Sequence, residues 1–486
     1  MAIRLRSYTL KGLEVLPVDI EVEVSPGMPV FSIIGMAGTS VQEAKDRVRS
    51  ALVSSGFHFP LTRKIVNLAP AELHKTGSHF DLPMALGFLM AGKELAPFDE
   101  GTWAMGELGL SGELRAVKGL LPALLFAQKN GVKQVLLPRE NWSEAQLVKG
   151  LRASYFGSFA EVVHHLKTGQ LPTEPEQRFE TEALTPNTGV DFSHIQGQAA
   201  AKRALAIAAA GGHHILLSGP PGSGKTLLAE AFAKLLPPLS SDELLEVLAI
   251  HSVAGKTRVS SQIARPFRSI HPRSTPFTVF GGGASLSPGE LSLAHHGVLL
   301  MDEFPEFSRD ILEGLRGPLE GHALMLRYGK TSCRFPCQFQ LLATQNPCPC
   351  GYASDPEKAC SCTAAEKTRY SKKISGPILD RIDIRVEVPR LEYDDFKVSA
   401  AGGENWTEKV RLARERRASR GLAVEGLGSQ KLDLKTEDLL RKSTHHYKLS
   451  GRALHKVLSV ARTVADYEGS DTIEYGHVAE ALQYRI

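Results

Sequence analysis

The sequence predicts an α/β protein with three domains, of which the last is entirely helical. Its 486 residues exceed what one hydrophobic core usually organises, since domains typically contain about 100 to 200 residues. A short apolar segment at 213–218 leads into a glycine-rich loop and then a helical pattern, which is the order of a nucleotide-binding α/β fold. After residue 403 the patterns are helical, so we expect a C-terminal domain without a sheet.

The composition is that of an ordinary globular enzyme. Hydrophobic residues make up 42% of the chain and charged residues 23%, which argues against a disordered or membrane class. No run approaches the roughly 18 apolar residues that a membrane span requires, and the opening MAIRLRSYTL lacks the apolar core of a signal peptide. We therefore expect a cytoplasmic protein without membrane contact. The net charge of +4 only weakly favours an anionic partner.

The first 168 residues are predicted to form an α/β domain. Apolar residues alternate with acids over residues 18–24, the period-two pattern of a strand with one wet face. The SVQE sequence at 40–43 reads as a capping box, which predicts that a helix begins there and packs one face on the sheet. Further strands are expected at 64–68 and 135–138, and further helices at 80–91 and 120–130.

A linker and two more domains are predicted to follow. Residues 169–189 are rich in Pro, Thr and Glu and show no hydrophobic periodicity, as expected of a linker. Residues 190–395 are assigned to the nucleotide-binding core, which starts with a helix inside 191–212. Residues 396–486 are assigned to the helical domain, with helices expected at 409–420, 436–443 and 451–467.

The glycine-rich loop matches the phosphate-binding pattern GxxxxGK[ST]. It consists of Gly219, Pro220, Pro221, Gly222, Ser223, Gly224, Lys225 and Thr226. The loop follows a predicted strand and opens a predicted helix at 226–236, the two contexts that the motif requires. Its glycines allow consecutive backbone N–H groups to point at phosphates beside a helix N-terminus. We predict that Lys225 reaches the terminal phosphates of ATP and that the Thr226 hydroxyl binds Mg²⁺.

Two acids and an amide extend this predicted site to hydrolysis. The apolar segment 298–301 has the pattern of a buried strand and ends in Asp302 and Glu303. Asp302 is predicted to hold the Mg²⁺ shell, and Glu303 to orient and deprotonate the attacking water, which requires a carboxylate close to the metal but not on it. A third strand at 339–344 ends near Asn346, whose amide is predicted to sense the terminal phosphate or to position the water.

Two arginines match further positions of such ATPases. Arg381 follows the third strand, and Arg452 begins a helix of the C-terminal domain. Single arginines are usually surface charges. The position of Arg381, however, matches an arginine finger that acts on a neighbouring subunit, and that of Arg452 matches a second phosphate sensor. A finger acting between subunits implies a ring of identical subunits, most often a hexamer.

Four cysteines are clustered in a pattern that suits a metal. Cys348, Cys350, Cys360 and Cys362 form C-x-C-x9-C-x-C and supply the four soft ligands of a tetrahedral structural zinc site. The alternative is a set of free buried thiols. A zinc ion here would pin the loop after Asn346 and couple it to the subunit interface, whereas Cys333 and Cys337 are interpreted as incidental.

Long matches dispersed over nearly the whole chain resemble one family, the ComM or YifB group of bacterial magnesium-chelatase-like AAA+ ATPases. The resemblance implies an N-terminal domain similar to the Lon protease domain (ribosomal S5 domain 2-like), a central AAA+ core with an insert after its second helix, and a C-terminal helical lid. It also implies a hexameric DNA helicase that drives branch migration in homologous recombination and natural transformation. The matching segments are IVNLAPA at 65–71, GSHFDLPMA at 77–85, RPFR at 265–268, GGG at 281–283, PGELSLAH at 288–295, NPCPCG at 346–351, SGPILDR at 375–381 and ARTVAD at 461–466.

Two elements of the core are candidates for DNA contact. One is the insert at 273–290, and the other is a hairpin that carries Arg327, Lys330 and Arg334. Motors that move on DNA contact phosphates through scattered cations and backbone N–H groups rather than through a base-reading motif. A solvated loop is the more ordinary interpretation of each charge taken alone.

Three other functions share parts of this pattern. In an ATP-dependent Lon-type protease the nucleophilic serine and its lysine partner would fall, by resemblance, on His79 and Leu121, so the dyad is absent unless Ser78, one residue away, replaces the serine. A chelatase motor needs an integrin-like partner that this chain does not contain. A remodeller of protein complexes would use the same ATPase residues as a helicase, and the sequence does not separate the two.

Overall fold

The computed structural model describes residues 2–99, 101–172, 192–256, 264–329, 331–391, 405–420 and 432–485. The predicted linker from residue 173 onward, the predicted start of the C-terminal domain at 396 and Lys330 lie outside these ranges. The described elements form a mixed α/β structure followed by helices, as the sequence predicts.

A seven-stranded mixed sheet organises the N-terminal region. Its order is β3-β4-β2-β1-β5-β8-β9, with antiparallel pairs joining β4, β2 and β1 and parallel pairs elsewhere. The strands are β1 Ile3–Lys11, β2 Glu14–Ser25, β3 Phe31–Ile34, β4 Arg63–Ala69, β5 Thr102–Ala104, β8 Gln134–Pro138 and β9 Arg152–Phe156, beside a small pair of β6 Glu107–Leu108 and β7 Leu114–Arg115. The helices are α1 Thr39–Gln42, α2 Ala44–Ser54, α3 Asp81–Ala91, α4 Leu120–Lys129, α5 Trp142–Ala145 and α6 Phe159–Thr168.

Both faces of this sheet are covered, because alternate strand residues enter different cores. In β8, Leu136 packs with α2, α3 and α6, whereas Val135 and Leu137 pack with α4 and α5. The predicted strands and helices of this region are confirmed with ends shifted by one or two residues, except that β2 begins four residues before the predicted start at 18. The capping box predicted at Ser40 is wrong: α1 begins at Thr39 after Gly38, and the Ser40 hydroxyl instead accepts the Gly77 N–H at 3.2 Å.

A five-stranded parallel sheet forms the central region, with the order β11-β14-β17-β10-β18. The strands are β10 Ile215–Ser218, β11 Phe267–Ile270, β14 Val298–Met301, β17 Gln340–Gln345 and β18 Ile384–Glu387, with two antiparallel pairs, β12 Gly281–Gly282 with β13 Ser287–Pro288 and β15 Ala323–Tyr328 with β16 Thr331–Pro336. The helices are α7 Ala199–Gly211, α8 Lys225–Phe232, α9 Ser241–Val253, α10 Pro276–Phe280, α11 Glu290–Leu293, α12 Arg309–Gly314, α13 Pro318–Gly321, α14 Ala364–Ser371 and α15 Gly376–Leu379. The central strands are apolar and buried, as parallel strands covered on both faces must be.

In the described ranges that follow the central sheet, 405–420 and 432–485, there are four helices: α16 Trp406–Arg420, α17 Leu434–His446, α18 Gly451–Glu468 and α19 Tyr475–Gln483. The helix α18 begins where the Ser450 hydroxyl accepts the Ala453 N–H, and its buried face joins α7 in one core. These helices confirm the expectation of a helical C-terminal part. Within the described ranges, no helix is long and apolar enough to cross a membrane.

The N-terminal region contacts the central region through α4 and α9. The buried Glu144 carboxylate accepts hydrogen bonds from the Ser252 hydroxyl at 2.9 Å and from the Leu121 N–H at 3.1 Å. Leu248 of α9 packs in the same core as α4. Two sheets are thereby joined by a polar network that is closed off from water.

Candidate functional site

The phosphate-binding loop lies at the carboxyl edge of the central sheet. It follows β10, and the neighbouring strands β14 and β17 end at the same edge because all three are parallel. Gly222 and Gly224 have φ values of +78° and +89°, a left-handed conformation that favours glycine. A Cβ at Gly219 would lie 2.1 Å from the Val388 carbonyl oxygen, so a side chain cannot fit there. The local backbone therefore explains why both invariant glycine positions of the motif, 219 and 224, are occupied by glycine.

Lys225 is held inside the loop. Its ammonium donates to the carbonyl oxygens of Gly219 and Pro220, each at 2.8 Å. Burial lowers the pKa of Lys225, while the nearby carboxylates of Asp302 and Glu303 act in the opposite direction. The ammonium is therefore placed where phosphate oxygens can replace the two carbonyls, which is compatible with the role predicted for Lys225.

Asp302 and Thr226 face each other across the loop. The Thr226 Oγ1 lies 3.5 Å from Asp302 Oδ2, while the Thr344 hydroxyl donates to Oδ1 of the same carboxylate. A hydroxyl and a carboxylate are hard oxygen donors, which fit Mg²⁺ bound together with substrate phosphates. The two residues predicted to share the ion are thus adjacent in space.

Glu303 has an unusual backbone conformation, with φ 53° and ψ 48°. Its N–H donates to the Thr344 Oγ1 at 3.1 Å, which helps to hold the left-handed turn. Its side chain is exposed, whereas Asp302 is tied to Thr226 and Thr344. The two adjacent acids therefore occupy different environments, which suits their different predicted roles.

Asn346 follows β17 at the same edge of the sheet and leads into the cysteine loop. Its backbone hydrogen-bonds the Tyr370 hydroxyl, and burial raises the pKa of that hydroxyl to about 12. A Cβ on Gly351 would lie 2.6 Å from the Pro221 side chain of the phosphate loop. The cysteine loop therefore packs directly against the nucleotide site.

The four clustered cysteines converge on one point. The Sγ of Cys348 lies 3.4 Å from that of Cys350 and 3.7 Å from that of Cys360, and the Sγ atoms of Cys350 and Cys360 are 3.6 Å apart. Sulfur atoms on a tetrahedral zinc with Zn–S bonds of about 2.3 Å would be roughly 3.8 Å apart. Cys362 completes the group, and its Sγ accepts the Cys350 N–H. The number, chemistry and spacing of these donors fit zinc.

A second group of ligand-type side chains consists of Glu246, His295 and His296. Glu246 Oε2 lies 3.0 Å from His295 Nε2 and 2.8 Å from His296 Nε2. The other nitrogen of His295, Nδ1, accepts the Gln338 N–H at 3.0 Å. Because a neutral imidazole has one proton, Nε2 must carry it and donate to Glu246. This arrangement is a hydrogen-bonded cluster and does not suit a metal ion.

Arg381 and Arg452 lie together, at the opposite edge of the sheet from the phosphate loop. Arg381 precedes β18, whose first residue pairs with the first residue of β10. Both arginines contact one carboxylate: Glu320 Oε2 is 2.7 Å from Arg381 Nη2, and Glu320 Oε1 is 3.3 Å from Arg452 Nη1. Neither can reach the nucleotide site of its own chain in this conformation.

The two elements predicted to contact DNA lie side by side, since β12 of the insert contacts β15 of the hairpin. The side chains of Arg273, Arg327 and Arg334 are exposed. Among the described residues, no carboxylate pairs with Arg327 or Arg334, whose strands place them on one face of the hairpin. Glu290, at the end of the insert, is instead paired with Arg268 at 2.5 Å.

The two positions that would carry a Lon-type dyad are buried. His79 stacks on Tyr8, with ring centroids 4.3 Å apart, and burial lowers its pKa to about 4. Leu121 is fully buried at the start of α4. The Ser78 hydroxyl donates to Glu107, and the Lys75 ammonium donates to three backbone carbonyls, including Gly35 O and Leu68 O at 2.9 Å. These contacts give Ser78 and Lys75 structural roles.

Sequence reasoning did not identify Thr344 and Glu320. Thr344 lies two residues before Asn346, near the end of a buried strand. A hydroxyl at that position could have indicated a hydrogen bond to the acid at the end of the neighbouring strand, Asp302. No sequence pattern indicated a role for Glu320, because its partners Arg381 and Arg452 are far away along the chain. Its role depends on the tertiary fold.

Known protein families and individual proteins match almost the whole length of the chain. The model described as magnesium chelatase, subunit ChlI, matches residues 191–396, that of subunit ChlI of Mg-chelatase matches 20–141, and that of the ChlI C-terminal part matches 402–485. Competence protein ComM of Haemophilus influenzae is 39% identical over 489 residues, covering 98% of this chain and 95% of that protein. The uncharacterized proteins YifB of Salmonella typhimurium and Escherichia coli are 38% and 37% identical at the same coverage.

Proposed function

The chain belongs to the ComM/YifB family of magnesium-chelatase-like AAA+ ATPases, and on that basis we propose that it is a ring-forming DNA helicase driven by ATP hydrolysis. The family implies ATP and Mg²⁺ as ligands. The observation that carries the proposal is the convergence of Lys225, Asp302 and Glu303 at one edge of the sheet, in a chain that matches a competence protein over 98% of its length. Branch migration during recombination and natural transformation is the specific role proposed.

Each residue of the site has a separate part in hydrolysis. Lys225 binds the terminal phosphates in place of the Gly219 and Pro220 carbonyls. Thr226 and Asp302 hold Mg²⁺, which when bound neutralises charge on the phosphates. The exposed Glu303 carboxylate takes the proton of the attacking water, and the Asn346 amide orients that water or the phosphate.

We propose that the subunits form a closed ring of six members, by analogy with the family, and that the hairpin and the neighbouring insert contact the DNA. The N-terminal α/β region then has a Lon-like fold without peptidase chemistry, and the helices α16 to α19 act as the lid. Remodelling of a protein complex is the alternative use of the same ATPase. No feature of the site favours it over DNA.

The ATPase rate measured with and without DNA tests this function. We expect turnover to rise in the presence of single-stranded or four-way junction DNA, because a motor couples hydrolysis to its track. Duplex DNA serves as the third substrate, and casein with ATP serves as the assay for peptidase activity. Absence of DNA binding together with an unchanged rate would contradict the helicase function.

Arg327→Ala combined with Arg334→Ala is expected to weaken DNA binding for every sequence. Each lost phosphate contact lowers the slope of log affinity against log salt by about 0.7 on single strands and about 0.9 on duplex, so two lost contacts lower it by about 1.4 or 1.8. The measurement is a titration of labelled DNA at several salt concentrations. Lys367→Ala, which removes an exposed cation from α14, is the matched control.

A salt slope that the double variant leaves unchanged would contradict contact between the hairpin and the phosphates. A decrease for Lys367→Ala half as large as that of the double variant, in proportion to the one charge removed instead of two, would show that the loss reflects net charge rather than position.

The cysteine cluster is proposed to bind one structural zinc ion. The ion would fix the loop that follows Asn346, and this loop contacts Pro221 through Gly351. Zinc is therefore proposed to support the nucleotide site rather than to take part in chemistry. A catalytic zinc site has three protein ligands and keeps its fourth coordination position for water. Four thiolates would fill all four positions, as in a structural site.

Cys350→Ser is expected to lower the affinity for zinc by at least about 100-fold, because one of four ligands is lost. Zinc content of purified protein gives the primary measurement, with about one ion per chain expected for the wild type. ATP binding should weaken in parallel, since the loop packs on the phosphate loop. Cys337→Ala, a buried cysteine outside the cluster, is the control. A metal-free wild type that is folded and active would contradict the site.

A further inference from the structure

A single carboxylate, that of Glu320, joins the arginine predicted to act as a finger on a neighbouring subunit, Arg381, to the arginine predicted to be a second phosphate sensor, Arg452. Its Oε2 accepts from Arg381 Nη2 at 2.7 Å, and its Oε1 lies 3.3 Å from Arg452 Nη1. The three side chains come from α13, from the turn before β18 and from the start of α18. We refer to this group, Arg381, Glu320 and Arg452, as the arginine clip.

The arginine clip faces away from the chain's own nucleotide site. The N–H of Asp383 donates to the His214 carbonyl at 3.0 Å, and Lys456 donates to the Arg381 carbonyl at 2.5 Å, so the clip lies at the amino ends of β18 and β10. The phosphate loop begins after the carboxyl end of β10, about 10 Å or more away at roughly 3.3 Å per residue. A nucleotide contacted by the clip must therefore be bound by another copy of the chain.

Arg381 is held rigidly but retains the capacity to bind a phosphate. Its Nε donates to the Arg316 carbonyl at 2.9 Å, Nη1 donates to the Pro377 carbonyl at 2.8 Å, and Nη2 donates to Glu320. A guanidinium has five N–H groups, so each terminal nitrogen keeps one donor. Phosphate oxygens can accept hydrogen bonds from these two donors while the three existing hydrogen bonds of Arg381 remain in place. The contacts therefore orient the guanidinium instead of blocking it.

Glu320 also removes the repulsion between two neighbouring cations. Arg381 is nearly buried, with a side chain 10% exposed, whereas Arg452 is 53% exposed. Two guanidiniums this close would repel each other without a carboxylate between them. The carboxylate thus permits both to point at one anion, and it is the only acid that the described residues place in ion pairs with both.

We propose that Glu320 is a positioning residue that holds Arg381 and Arg452 together for the terminal phosphate of an ATP bound by the adjacent subunit. The proposal rests on the ring-forming ATPase proposed above and names the group that organises its interface. Glu320 itself does not touch the nucleotide. It acts through the two arginines, whose donors complete a site that a single chain leaves incomplete.

Glu320→Gln is expected to lower kcat for ATP by about 10- to 100-fold, because misplacement of a catalytic group by about 1 Å has effects of that size. The dissociation constant for ATP should change by less than about twofold, because the substitution leaves every residue of the phosphate loop that binds the nucleotide unchanged. Glu313→Gln, which removes an acid from the preceding helix α12, is the matched control and should leave both quantities unchanged. All assays omit DNA.

Mixed rings separate positioning from general damage. Lys225→Ala subunits cannot hydrolyse ATP but offer intact arginine clips to their neighbours, so adding them to Glu320→Gln subunits should restore part of the turnover. Lack of restoration, or wild-type kcat in Glu320→Gln, would overturn the role of Glu320. Turnover without DNA stimulation would contradict the helicase function and leave this role standing, whereas a wild type without any turnover would contradict both.

Discussion

Lys225→Ala is expected to abolish ATP binding and hydrolysis. The ammonium lies inside the loop, 2.8 Å from the carbonyl oxygens of Gly219 and Pro220, and is exchanged for phosphate when ATP binds. Two charge-assisted hydrogen bonds at about 1.5 to 3 kcal/mol each amount to about 3 to 6 kcal/mol, which is a loss of roughly 10² to 10⁴ in affinity. Titration with a fluorescent ATP analogue measures this loss directly.

The ligand-free fold should survive this substitution. Burial already lowers the pKa of Lys225, so a neutral side chain there removes a charge that is unfavourable without phosphate. We therefore expect an unchanged melting temperature without ATP and no increase when ATP is added, whereas wild type gains about 2.7 kcal/mol at 100 times Kd. Lys234→Ala, an exposed lysine beyond the same helix, should behave as wild type. ATP-dependent stabilisation of Lys225→Ala would contradict the assignment.

The sequence reveals the parts of the site that are contiguous along the chain. The phosphate loop occupies eight consecutive positions, and Asp302 with Glu303 follows a strand of four buried apolar residues, so strand ends and glycine conformations are enough to locate them. Parallel pairing then brings the separate segments to one edge without further information. The four cysteines were found for the same reason, since all lie within one short loop.

The rest depends on contacts between distant segments. Ser40 matched a capping box, but its hydroxyl accepts the Gly77 N–H instead, because this donor from a distant segment takes the place of the local helix N–H groups. Glu320 lies 61 residues from Arg381 and belongs to a four-residue helix without a recognisable pattern. The sequence located both arginines and left unseen the carboxylate that pairs them. The role of a single charged residue can be inferred only when the tertiary structure shows which residue it pairs with.

Glu303→Gln is expected to bind ATP normally and to hydrolyse it about 10² to 10⁴ times more slowly. The amide has the size of the carboxylate but cannot take a proton from water. The backbone of residue 303 should remain in its left-handed turn, because the N–H that donates to Thr344 is unaffected. Single-turnover hydrolysis measured beside the ATP dissociation constant separates the chemical step from binding.

The neighbouring acids provide the controls for this prediction. Glu306→Gln removes a carboxylate three residues away that pairs with Lys373 at 2.8 Å, and it should leave turnover unchanged. Asp302→Asn should weaken binding of Mg²⁺ with ATP as well as turnover, because Asp302 contacts Thr226 and Thr344 whereas Glu303 is exposed. Undiminished turnover in Glu303→Gln would show that a group other than Glu303 acts as the base. Because Glu303→Gln subunits retain ATP, they should also accumulate as nucleotide-loaded rings, in which the arginine clip of each neighbour remains engaged.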